Sequence, residues 1–161
     1  MEVMLPNTYE GQNCSIARAL ELVGERWTLL ILRESFLGVR RFDRFQARLG
    51  IARNILRDRL GRLVEEGVLE RRQYQERPVR YEYRLTQKGR DLWPIIMALA
   101  QYGDRYYAPD GPPKIFRHRD CGGELDDRRR CTRCGADVGL RETEGVPGPG
   151  VTAETPLAVS S

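Results

Sequence analysis

The chain has 161 residues, 40% of them hydrophobic and 31% charged, which suffices for one ordinary domain with an appendage. No apolar run approaches the roughly 18 residues that a membrane helix needs. MEVMLPNTYEGQN lacks the basic and apolar regions of a secretion signal, so a cytoplasmic protein with no membrane partner is expected.

The net charge of +4 is uneven: residues 40–84 hold thirteen Lys+Arg against seven Asp+Glu, a local +6. Lys88 and Lys114 are the only lysines. Arginine's planar fork suits phosphate and guanine. A GC-rich genome also raises arginine content, so the placement of these residues counts for more than their frequency.

In chain order, CSIARALELV places Ile16, Ala19, Leu20 and Val23 at helical spacing, and Gly24 breaks that helix. RWTLLILRESF predicts a second helix with Trp27, Leu30 and Ile31 inward, ended by Gly38. FDRFQARLG predicts a short third helix burying Phe42, Phe45 and Leu49. In the run after Gly50, Leu56, Leu60, Leu63 and Val64 fall within an arc of roughly 100°, the width of a core-facing stripe. Asn54 and Asp58 point away from that stripe, Arg53 and Arg57 flank one side, and Ile55, Arg59 and Arg62 flank the other. Gly67 then ends the helix.

VLERRQY and RYEYRL alternate as strands around the turn QERPV. Thr86 is placed to cap a long helix, QKGRDLWPIIMALAQYGDRYY, bent by Pro94, with Leu92, Ile96, Leu99 and Tyr106 on one stripe. Four helices, a basic hairpin and a last helix make a mainly α (α+β) fold, a winged helix-turn-helix with a two-stranded wing. The plainer alternative is a small α+β domain whose arginines merely solvate its faces.

The expected organisation is an N-terminal arm over 1–13, the winged helix and dimerisation domain over 14–107, and a linker over 108–114. A zinc-ribbon-like module over 115–141 and a disordered Pro/Gly-rich tail over 142–161 complete it.

The motifs ALELVGERWTLLILRESFLGVRRFDRF, IARNILRDRLGRLVEEGVLERR and RPVRYEYRLTQKGRDL, preceded by Cys14, resemble the HxlR family of bacterial winged-helix transcription regulators, in the MarR-like superfamily, over residues 14–106. The resemblance implies a homodimer on inverted-repeat double-stranded DNA, mostly as a repressor. It also implies a fourth helix in the major groove, a wing at the minor groove and terminal helices forming the dimer. Ser15 and Ala52 depart from the family's usual proline and serine, and Ala52 removes one possible phosphate contact.

Phosphate contacts supply affinity and base-edge contacts supply specificity. Arg53, Asn54 and Arg57 stand in the first turns of the recognition helix, where arginine reads guanine and asparagine reads adenine. Ile55 is assigned to a thymine methyl, Arg40 and Arg41 to the backbone, and Arg77 and Arg80 to a narrow minor groove. Arg62, Arg71 and Arg72 read instead as surface residues paired with glutamates.

His118-x2-Cys121 and Cys131-x2-Cys134 have ligand spacing, and each pair ends in Cys-Gly. Three thiolates and an imidazole make a closed, structural Zn2+ site, one per chain. A segment this short needs such a clip to fold. Disulfide pairing, or His118 as a bystander, are the alternatives.

Cys14 is either a redox sensor, as in some relatives, or a quiet thiol at the dimer seam. The one histidine falls in the metal cluster, which leaves none for a Ser-His or Cys-His arrangement and speaks against an enzyme. The rival non-enzymatic reading is an interaction module that docks a partner through the zinc ribbon, with DNA binding secondary. The operator, the target genes and any small-molecule effector are not encoded legibly.

Overall fold

The computed structural model describes residues 13–155. The predicted arm at 1–12 and the last residues of the predicted tail, 156–161, lie outside them. The elements are α1 (Ser15–Val23), α2 (Arg26–Phe36), α3 (Phe42–Leu49), α4 (Arg53–Glu65), β1 (Leu69–Glu76), β2 (Val79–Leu85), α5 (Gln87–Arg90), α6 (Trp93–Tyr107), β3 (Lys114–His118) and β4 (Thr143–Pro147). A single 3-10 turn, Leu140–Glu142, precedes β4.

The leucine stripe of α4 docks as expected. Leu56, Leu60 and Leu63 are fully buried against Ile31 and Leu32 of α2 and Phe45 of α3, with Val68 and Leu69 closing the core at the foot of the wing. Each such side chain contributes about 2 kcal/mol through burial. Arg59 in α4 donates to Glu25 Oε2 at 2.9 Å, and Arg62 donates to the Glu21 carbonyl at 2.6 Å. Two arginines therefore tie the back of α4 to the rest of the domain.

Glu25 also caps α2, accepting from the Thr28 amide at 3.1 Å. Burial pushes its carboxyl upward, but the Trp27 and Thr28 amides and Arg59 outweigh this and hold it below the usual glutamate value of 4.5. Glu25→Ala is expected to lower stability by about 1–2 kcal/mol at neutral pH, the typical loss of a cap. Because the folded value is depressed, the contribution is fully present above 4.5 and is lost as pH falls through the folded value. Urea unfolding of both proteins at neutral and strongly acidic pH should show the difference shrinking in acid.

β1 and β2 pair antiparallel from Leu69↔Leu85 to Glu76↔Val79, with a bulge between Gln73 and Gln75. The turn is tighter than the predicted QERPV, with only Arg77 and Pro78 between the strands. Arg41, just before α3, adds a bridge to Glu82, and the Tyr83 amide donates to the Arg40 carbonyl at 2.7 Å. The wing is thus anchored to the start of the helix-turn-helix.

Thr86 caps α5 by accepting from the Gly89 amide at 3.2 Å. A Cβ on Gly89 would stand 2.2 Å from the Val68 carbonyl oxygen, so this close approach requires glycine.

Two expectations are corrected here. The single helix over 87–107 is two helices, with Pro94 in the first turn of α6, where its missing N–H leaves no bond unmade. Of the predicted stripe, Leu92 and Ile96 pack on the core beside buried Trp93 and Met97, while Leu99 and Tyr106 are exposed. The second correction concerns the tail. Residues 143–147 form β4, paired with β3 from Lys114↔Pro147 to His118↔Thr143, because β3 offers an edge whose amides and carbonyls need partners. The module therefore runs past 141, and the predicted linker gives up Lys114 to β3.

The module packs onto the winged helix. Trp93 lies 5.2 Å from Phe36 and 5.8 Å from Phe116 of β3, ring centre to ring centre. Beside it, fully buried Glu34 pairs with Arg33 at 2.8 Å and with Arg48. Burial lowers the Lys114 ammonium to about 8, a shift that Glu34 opposes and Arg33 and Arg48 reinforce.

Candidate nucleic-acid interface and candidate metal centre

The first turns of α4 face away from the core. Arg53, Asn54 and Arg57 are all exposed. Ala52 at the N-cap supplies no side-chain hydrogen bond, as its methyl group dictates. Arg53 leans back over the Phe42 ring at 5.1 Å, donates to Gln46 at 3.3 Å and lies 3.8 Å from Asp43. Asn54 and Arg57 have no side-chain hydrogen bond or ion pair among the described residues. Ile55, assigned to a thymine methyl, is half-buried at the flank of the leucine stripe, partly packed against the core.

Arg40 is exposed, whereas Arg41 stacks on the Tyr74 ring of β1 at 4.5 Å. Arg77 and Arg80 are exposed at the tip of the wing. The arginines read as surface residues do hold local partners: Arg72 pairs with Glu70 at 2.7 Å, and Arg71 stacks on Tyr81 at 4.1 Å. Arg44, exposed in the first turn of α3, was not singled out from the sequence, although it lies close in the chain to Arg40 and Arg41. Arg57 at the start of α4 and Arg77 and Arg80 on the wing have no ion pair among the described residues and leave an exposed cationic surface.

The second constellation is the cysteine and histidine cluster. The ligand atoms of His118, Cys121, Cys131 and Cys134 all lie within 4.8 Å of one another. Cys121 Sγ is 3.4 Å from His118 Nδ1 and 3.3 Å from Cys131 Sγ, and Cys134 Sγ is 3.3 Å from the same nitrogen. Zn–S bonds of about 2.3 Å in a tetrahedron put ligand atoms roughly 3.5–3.8 Å apart, so the cluster already has the required size.

Backbone amides favour a thiolate at Cys131, whereas at Cys121 the pull of the Gly123 amide is outweighed by the neighbouring Cys131 sulfur, burial and the Cys134 sulfur, which push that thiol up. The Cys134 amide, followed by that of Arg133, pulls the Cys131 thiol down to about 6. Gly122 and Gly135 take left-handed φ of 71° and 74° in the tight turns expected after each cysteine. A Cβ on Gly123 would stand 2.4 Å from Cys131 Sγ, which keeps that approach open to the sulfur. Asp120 Oδ2 lies 3.6 Å from His118 Nε2, on the ring edge away from the sulfurs, where it favours Nδ1 as the ligand nitrogen. Three thiols and one imidazole fit a structural metal ion of zinc type.

The HxlR-like helix-turn-helix family profile matches residues 22–111, more than half of the chain. The chain belongs to the HxlR-like family. It is 51% identical over 151 residues to the HTH-type transcriptional regulator Rv3095 of Mycobacterium tuberculosis, covering 93% of this chain and 94% of that one. Among solved structures, PA1607, a candidate transcription factor, shares 37% identity at a TM-score of 0.68, over 84% of this chain and 96% of its own. The reduced form of the transcriptional regulator YodB from B. subtilis matches at 29% identity and a TM-score of 0.51, over 61% of this chain and 98% of its own.

As an HxlR-like protein, the chain is a helix-turn-helix transcriptional regulator that binds DNA. Its elements α3 and α4 are the helix-turn-helix and β1–β2 is the wing. The metal cluster lies beyond the residues the HxlR-like profile covers, so it is read from its own geometry alone. Among the described residues, no helix is long and apolar enough to cross a membrane. Cys14 sits half-buried at the N-cap of α1, with no side-chain cap.

Proposed function

We propose that the protein acts in the cytoplasm as a homodimeric repressor that reads an inverted-repeat operator. In this reading Arg53, Asn54 and Arg57 of α4 meet base edges in the major groove. Arg40, Arg41 and Arg44 hold the phosphate backbone, and Arg77 and Arg80 of the wing enter the minor groove. The observation that carries the reading is the two-sidedness of α4: Leu56, Leu60 and Leu63 are fully buried while Asn54 and Arg57 stand exposed, without side-chain partners among the described residues. An interior ion-pair network would have engaged these side chains.

Selection of duplexes from a random pool tests this. A palindrome is expected, with half-sites about one helical turn apart and an affinity that falls steeply with salt. Recovery of no sequence preference overturns it.

The dimer reading rests on α1 and α6. Ile16 and Leu20 of α1 and Leu99, Tyr102, Tyr106 and Tyr107 of α6 are all exposed, Tyr107 at 75%, and these are the apolar faces that a partner would cover. Leu99→Arg is expected to give a monomer by analytical ultracentrifugation. Losing the second half-site then weakens operator binding on the order of a hundredfold.

Zinc, one ion per chain, is the proposed resident of the cysteine and histidine cluster, where it holds the module in shape and leaves no open position for catalysis. We read Cys14 as a quiet thiol near that dimer seam. Operator binding should respond to oxidant equally in the wild type and in Cys14→Ser.

A further inference from the structure

Between the C-terminal module and the α5–α6 junction lies an open cleft of about 730 Å³. Its apolar lining is Trp93, Pro94, Val138 and Leu140, and Arg128, Arg129 and Arg141 stand around it. Three carboxylates also line the cleft, each with a partner of its own. Asp91 accepts from Gln87 at 2.8 Å, Asp137 pairs with Arg130 at 3.4 Å, and Glu142 accepts from the Gly139 amide at 2.9 Å. Arg90 donates to the Leu85 carbonyl at 2.9 Å. Nearby Asp126 accepts from the Arg128 and Arg130 amides at 2.9 and 2.8 Å. The guanidiniums of Arg128, Arg129 and Arg141 form no hydrogen bond or ion pair among the described residues.

Two further observations point to a ligand. Arg129 holds φ = 62°, a left-handed conformation rare for residues other than glycine. Its amide donates to the Asp126 carbonyl and its carbonyl accepts from the Val138 amide, so it is fixed there. Strained residues of this kind cluster at binding sites. Trp93, nine-tenths buried, lines the cleft wall with Pro94, Val138 and Leu140, an apolar bed beside the arginines.

We propose that this cleft binds a small organic anion with a flat apolar body, its carboxylate, sulfonate or phosphate held by Arg128, Arg129 and Arg141 and its body laid on Trp93 and Leu140. The volume is that of a small-molecule site, and paired arginines recognise such anions by charge-assisted hydrogen bonds. The site lies outside the DNA-facing surface, so its existence does not depend on how α4 reads DNA.

The test uses the full chain purified in the presence of zinc and the fluorescent probe 8-anilinonaphthalene-1-sulfonate. Its uncharged relative N-phenyl-1-naphthylamine and plain sulfate are the comparisons. Saturable binding of one sulfonate probe per chain is expected, with the neutral probe and sulfate each weaker by about tenfold or more. Arg128→Ala and Arg141→Ala should each weaken the sulfonate probe about tenfold, while lysine at either position restores most of the loss. Unfolding curves and zinc content of the same variants establish that the module stays folded. Equal affinity for the charged and neutral probes, or sulfonate binding unaltered by both alanine variants, overturns the proposal.

Discussion

Arg57→Ala is expected to bind its operator about thirtyfold more weakly, a loss of about 2 kcal/mol, and to lose its preference at one base pair in each half-site. The size of the effect follows from where Arg57 stands. Its guanidinium has no partner among the described residues, so the change removes no ion pair seen there and leaves the leucine face of α4 untouched. Stability by urea unfolding should therefore stay within about 0.5 kcal/mol of the parent protein, as for other surface substitutions. Arg53→Ala should be milder, because Arg53 is already shared with Phe42, Gln46 and Asp43. Arg80→Ala at the wing should weaken most the operators whose A·T-rich flanks narrow the minor groove, and should reduce the salt dependence. Competition assays against a set of single-base operator variants separate these patterns.

Cys131→Ser/Cys134→Ser is expected to lose the metal and to unfold the C-terminal module as a unit. Structural zinc contributes on the order of 10 kcal/mol to modules of this size, and the β3–β4 sheet, the Phe116–Trp93 contact and the Gln101 hydrogen bond to the Asp126 carbonyl at 2.9 Å bury too little to replace it. The winged helix should survive, since Glu34 keeps Arg33 and Arg48 when Lys114 leaves. Trp93 would lose Phe116, and its emission should shift to the red. Elemental analysis should give one zinc per wild-type chain and none in the variant. A metal-free wild type with the same fold would contradict this assignment.

The recognition helix and the metal cluster were legible in the sequence because both are written in local spacing. Leu56, Leu60 and Leu63 recur on one face of a single helix, and the Cys-x-x-Cys pattern needs only a tight turn. What escaped the reading depends on distant partners. Periodicity marks Leu99 and Tyr106 as apolar-facing but cannot say whether the surface they face belongs to the same chain. TEGVP has no strand pattern of its own and pairs because β3 exposes an edge. Glu34 did leave a signal: it shares a helical face with Trp27 and Ile31, where a carboxylate must find cations. Arg33 stands beside it in the chain, but Arg48 is fourteen residues away and not visible as its partner. Ile55, at the edge of the leucine arc, could not be placed in or out of the core by angle alone.

The central claim, that the start of α4 and the wing tip face the duplex, is tested most directly by arginine-selective labelling. Phenylglyoxal modification of the free and operator-bound protein, read residue by residue by mass spectrometry, reports each guanidinium separately. Protection is predicted at Arg53, Arg57, Arg77 and Arg80 on binding, while Arg128 and Arg141 in the C-terminal module react as before. Arg57 and Arg80 labelled equally in both states, with protection gathered elsewhere, would contradict the account.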